Sequence, residues 1–152
     1  MLRADLVFSI MNALVLPGWL ALLLAPLARP RLILVARLCA ALVCGLYVAL
    51  IVRGLVAGPG LPRGAGFGTL AGVEALLSTR GAILGGWAHF LAFDLFVASW
   101  QAEDAPRAGV PHWLLAPCLL LTLFAGPAGL LLYLLLAAVR RRGQGPGPGR
   151  RG

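Results

Sequence analysis

Two ionisable side chains, His89 and Asp94, fall inside an otherwise apolar stretch, Trp87-Ala88-His89-Phe90-Leu91-Ala92-Phe93-Asp94-Leu95-Phe96. A charge near the middle of a bilayer costs roughly 2.5–3.5 kcal/mol even on the lenient insertion scale, so something must offset it. Such residues usually face the interior of a helix bundle, and a histidine with a carboxylate is a candidate pair for acid–base chemistry. Five helical residues at about 100° each separate the two by roughly 140° and about 7.5 Å along the axis, so they form no ready-made dyad. Gly86, Phe90, Phe93 and Val97 project between them. That pattern predicts an aromatic-walled groove, relieved by glycine, in which a long apolar ligand meets a polar group at either end. The plainer alternative is that Asp94 is neutral or bonded to another helix, and that His89 meets a carbonyl as interhelical glue worth roughly 1 kcal/mol.

Other polar or irregular positions admit the same two readings. Asn12 shares a helical stripe with Phe8, Val15 and Trp19, where it either packs against a neighbour or touches a ligand. Gly126-Pro127-Ala128-Gly129 interrupts a leucine-rich run, and Pro127 cannot donate its backbone bond, so a kink is expected there. Its small side chains allow a second helix or a ligand to approach closely. His112, Glu103 and Asp104 are assigned to a solvated loop. Cys39, Cys44 and Cys118 form no CxxC or Cys/His cluster and are expected to be small packing residues. No metal-ligand spacing, nucleophile elbow, phosphate loop or nucleotide fingerprint is present, and the sequence names no cofactor.

The elements that must carry these residues are set by composition. The chain has 152 residues, 61% of them hydrophobic and only 12% charged, too little polar surface to coat a soluble globule. A bilayer core needs roughly 20 apolar residues to cross as a helix, and the long runs here lack the alternation of barrel strands. The expected fold is all-α, an integral membrane bundle of four transmembrane helices over 6–25, 32–52, 81–100 and 113–139. A short interfacial helix is expected within 69–79, too short to cross. Residues 140–152, basic and rich in Gly and Pro, are expected to be a disordered tail. The first apolar run is longer than that of a signal peptide, so an uncleaved first helix is expected.

All 13 basic residues are arginine, against five acids, giving a net charge of +8. In this setting the expected partner is anionic lipid and not nucleic acid. Arg37, a little over one turn inside its span, is expected to snorkel back to the headgroups. With four crossings, Arg3, Arg53, Arg63, Arg80, Arg140, Arg141, Arg142, Arg150 and Arg151 would share one side, against Arg29, Arg31, Arg37 and Arg107. The positive-inside rule then predicts a multi-pass protein of the cell inner (cytoplasmic) membrane, N-in and C-in. The absence of lysine suggests a high-GC, bacterial genome.

Taken together, Phe8-x3-Asn12 with Pro17 and Trp19, Trp87-x-His89-x2-Ala92-x-Asp94-Leu95-Phe96, and Gly126-Pro127-x-Gly129-Leu130-Leu131 resemble a known family. It is the small membrane proteins related to plant neoxanthin synthase, of the abscisic-acid-deficient type, and the resemblance covers nearly the whole chain. It implies a four-helix membrane protein and, in plants, conversion of violaxanthin to neoxanthin. Epoxide opening coupled to allene formation needs one group to protonate the oxygen and another to remove a ring-adjacent proton. His89 and Asp94 are the matching positions, with either role open to either residue. Asn12, Trp87, Phe90, Phe93, Gly126 and Pro127 are the substrate-binding candidates, Phe90 and Phe93 as walls of the groove between the two polar groups. The expected activity is thus isomerisation of a carotenoid or similar isoprenoid. The rival is a non-catalytic membrane scaffold or subunit, partnered by a pathway enzyme or by a helix–helix oligomer.

Overall fold

The computed structural model describes residues 2–58 and 60–143, the side chains of Leu2 and Arg3 excepted. Long runs of Leu, Ala and Val in lipid have one local way to satisfy their backbone, which is to wind it into helices. Five result: α1 Leu2–Leu23, α2 Arg29–Ala57, α3 Leu70–Leu76, α4 Arg80–Asp104 and α5 His112–Gly143. Helices α1, α2, α4 and α5 are each long and apolar enough to cross a membrane. The all-α bundle of four long apolar helices, with a short helix between the second and third, is the architecture the sequence predicts.

Proline and threonine set the helix ends. Pro26 lies in a 3-10 turn after α1, and Pro30 occupies the first turn of α2, where a missing N–H costs nothing. Thr69 and Thr79 cap α3 and α4, their hydroxyls accepting from the N–H groups of Gly72 at 3.0 Å and Ala82 at 3.2 Å. After α4 the chain turns through Gly109, whose φ of +67° lies in the left-handed region, and Pro111 follows. Helix α4 is the hub, packed on α1, α2 and α5 through buried Ala88, Ala92, Ala98 and Ala102. Its small side chains let the neighbouring backbones come close. Gly18 of α1 does the same for Leu95, since a Cβ at Gly18 would stand 2.7 Å from the leucine methyl.

Helix α5 does not run straight. Ala125, at φ −149° and ψ 67°, leaves the helical region and divides it into arms 112–124 and 126–143. Gly129 of the second arm lies so close to Thr122 of the first that a Cβ there would overlap the threonine. Further on, Tyr133 donates to Asp104 Oδ2 at 2.6 Å and packs edge-on against Trp100 with ring centroids 5.6 Å apart. Arg141 reaches the same carboxylate oxygen at 2.7 Å. Asp104 closes α4 just before the turn that opens α5, so a straight α5 would carry Tyr133 about 30 Å away from it at about 1.5 Å per residue. The second arm therefore runs back beside the first. The kink expected at Gly126-Pro127 is a full reversal.

This reversal sets where the two ends of the described chain lie in the bundle. Asp5 and Arg80 meet at 3.2 Å at one end of the bundle, with the N-terminal end of α1. The start of α2, the 105–111 turn and the end of α5 lie at the other. The N-in, C-in expectation places both ends of the chain together, whereas the hairpin carries the end of α5 to the end of the bundle opposite the start of α1. Helix α5 also continues through Arg140, Arg141 and Arg142 to Gly143, inside the segment expected to be disordered. The remainder of that expected tail, 144–152, lies outside the described residues. Among described side chains, Arg29, Arg31, Arg37, Arg107, Arg140, Arg141 and Arg142 now share one end, against Arg53, Arg63 and Arg80 at the other.

Candidate functional site

The candidate residues of α4 point into three different seams. Toward α1, Trp87 donates through Nε1 to Asn12 Oδ1 at 3.4 Å, a long bond, and its ring lies 5.7 Å from that of Phe8. Asn12 in turn donates Nδ2 to the Phe8 carbonyl at 2.8 Å. The helical stripe that carries Phe8 and Asn12 thus meets the third long helix at Trp87. This arrangement satisfies the amide with protein groups on both sides and fastens α1 to α4.

Toward α2, His89 stacks on Phe93 with ring centroids 4.5 Å apart and an interplanar angle of 26°. Tyr47 of α2 faces it at 5.9 Å, and Phe90 stands edge-on at 6.4 Å. His89 is exposed, as are Phe90 at 59% and Phe93 at 55%, so this imidazole and its aromatic frame face lipid or a partner and not the bundle interior. Phe96, also exposed, continues the stripe one turn further. Tyr47 was missed from the sequence because a lone tyrosine in an apolar helix gives no local sign of which helix it will face.

Toward α5, the half-buried Asp94 carboxylate occupies the space that Gly126 leaves, and a Cβ on Gly126 would overlap it. The hairpin tip and the acid are brought together, with Gly126 buried and Pro127 exposed beside it. Among the described residues no hydrogen bond or ion pair joins His89 to Asp94. The separation expected from helical geometry holds, and one groove walled by both residues is replaced by two neighbouring seams.

Several polar pairs nearer the arginine-rich end escaped the sequence reading. Gln101 and Thr122 are fully buried and bond at 3.2 Å between α4 and the first arm of α5. Arg37 does not snorkel free: it forms an ion pair with Glu103 and donates Nε to Ser99 Oγ at 3.4 Å. Glu103 and Asp104, assigned above to a solvated loop, belong to the last turn of α4, and both are paired. The His112 ring likewise meets the Leu23 carbonyl at 2.9 Å. Such pairs were hidden because acids just past an apolar run read as loop until a facing arginine or tyrosine is known. Among the described residues no three His, Cys, Asp or Glu side chains gather as a metal site. Cys118 is buried, Cys39 half-buried and Cys44 exposed, all as free thiols.

Comparison with known protein families finds that a model described as ABA4-like, ABA DEFICIENT 4-like, matches residues 6–133. Neither a curated protein nor a solved structure matches the chain.

Proposed function

The chain belongs to the ABA DEFICIENT 4-like family, and from that premise we propose that it is a bacterial inner-membrane protein acting on a carotenoid or similar isoprenoid by acid–base isomerisation. One observation carries this reading: the His89 imidazole is exposed on the outer face of α4, framed by Phe93 and Tyr47. A long apolar ligand reaches such a group sideways from the bilayer, with no aqueous route. The exposed stripe of Phe90, Phe93 and Phe96 offers it aromatic faces along α4.

Opening an epoxide to an allene is redox-neutral: one C–O bond and one C–H bond break, a proton goes to the oxygen, and another leaves carbon. His89 is the group a membrane-borne ligand meets first, and either proton is within its chemistry. Asp94 takes the complementary role from the adjacent seam, where it is half-buried at the hairpin tip. Asn12 and Trp87, bonded to each other, fix the α1–α4 wall and act as positioning residues.

The test is deletion of the gene in its host, with chromatography of nonpolar extracts and restoration by wild type, His89→Ala and Asp94→Asn at equal protein levels. Loss of a pigment change in both variants supports the isomerase. Full restoration by both sinks it. A second reading, a non-catalytic scaffold of a carotenoid or isoprenoid pathway complex, is favoured by the placement of His89 and Asp94 in different seams, His89 against Phe93 and Tyr47 and Asp94 against Gly126. It predicts tolerance of both substitutions together with co-purification of a pathway enzyme.

A further inference from the structure

At the arginine-rich end, the start of α2 and the end of α4 flank an open cleft of about 400 Å³ lined by Arg29, Pro30, Ile33, Leu34, Arg37 and Glu103. Two guanidiniums face one carboxylate. Arg29 spends one N–H on the Ala102 carbonyl at 2.7 Å, and Arg37 is held by Glu103 and Ser99. A guanidinium carries five N–H donors, so both keep donors to spare while their positions are fixed from behind. The cleft thus retains one net positive charge among ordered donors. Leu34, 56% exposed, continues the lining as apolar surface.

We infer that this cleft binds the phosphodiester head of an anionic phospholipid, its acyl chains lying along Leu34. A phosphodiester carries a single negative charge, which brings two guanidiniums and one carboxylate to neutrality. Its oxygens match the forked geometry of arginine. The side of the membrane agrees independently. The hairpin of α5 gathers Arg140, Arg141 and Arg142 at the same end as Arg29, Arg31, Arg37 and Arg107. By the positive-inside rule that end is cytoplasmic, where anionic headgroups attract basic residues. The partly exposed Arg37–Glu103 pair gives the cleft polar groups against which a headgroup can rest.

The experiment is lipid retention by the purified full-length chain in detergent, measured by native mass spectrometry with phosphatidylglycerol against phosphatidylcholine. Wild type should hold phosphatidylglycerol preferentially, and Arg29→Gln should weaken that by roughly fivefold, the value of one arginine near a headgroup. Leu34→Trp, which leaves every charge in place and narrows the cleft, should weaken it as well. Arg53→Gln, at the opposite end, should not. Equal retention of the two lipids overturns the inference, as does loss of binding in Arg53→Gln matching that in Arg29→Gln. Full displacement of phosphatidylglycerol by inorganic phosphate at matched concentration also overturns it, since the ligand would then be a free anion.

Discussion

At the scale of single residues, Asp94 and Gly126 are closely fitted to each other. The carboxylate stands where a β-carbon would be, so each side chain depends on the size of the other. Gly126→Ala alone should cost about 1–3 kcal/mol, because a packed interface must shift to admit the methyl. In the Asp94→Ala background the same change has room. The double variant should therefore cost less than the sum of the singles by about 1 kcal/mol, measured as unfolding in detergent through a double-mutant cycle. Strict additivity would mean that the carboxylate does not sit against the hairpin tip. The types of the candidate residues were legible in the sequence, since a histidine and an acid inside an apolar run stand out. Their 140° separation followed from helix geometry alone. The partners were not legible: Tyr47 and Gly126 come from helices whose rotation no local pattern fixes.

At the scale of elements, the same contrast appears in α5. Hydropathy located all four long helices, and Gly126-Pro127 announced a break near its middle. Whether such a break bends a helix or reverses it depends on what the far arm meets, and here that is Asp104 and Trp100 at the far end of α4. These contacts join residues distant in sequence. The first arm, 112–124, is about 20 Å long at about 1.5 Å per residue, short of a bilayer core of roughly 30 Å. An arm of that length would end the hairpin inside a bilayer core, with Gly126 sheltered by Asp94. Two glycines test it by contrast. Gly129→Ala drives a methyl into Thr122 and should destabilise the protein by about 1–3 kcal/mol. Gly45→Ala in α2 meets open space and should stabilise by roughly 0.5–1 kcal/mol through helix propensity. If both substitutions behaved like Gly45→Ala, the arms would not be packed against each other.

At the scale of the whole molecule, the path of α5 decides which surface faces which compartment. Four crossings put the C-terminal arginines with the N-terminus; a returning hairpin puts them with the start of α2 and the 105–111 turn. The two arrangements reverse the sign of the positive-inside argument without changing one residue. Cysteine labelling separates them. With Cys39, Cys44 and Cys118 replaced by alanine, single cysteines are introduced at Arg63, Arg107 and Gly143, and intact cells are treated with a membrane-impermeant maleimide. The hairpin predicts that positions 107 and 143 behave alike and oppositely to 63, and the positive-inside rule predicts that 63 is the one labelled from outside. Labelling of 143 together with 63 would require a crossing fourth helix and would separate Tyr133 and Arg141 from Asp104. Those two contacts hold α4 and α5 together at the arginine-rich end, so Tyr133→Phe combined with Arg141→Gln should loosen it. If the hairpin is held by them, position 143 should lose its uniform sidedness in that double variant while 107 keeps its own.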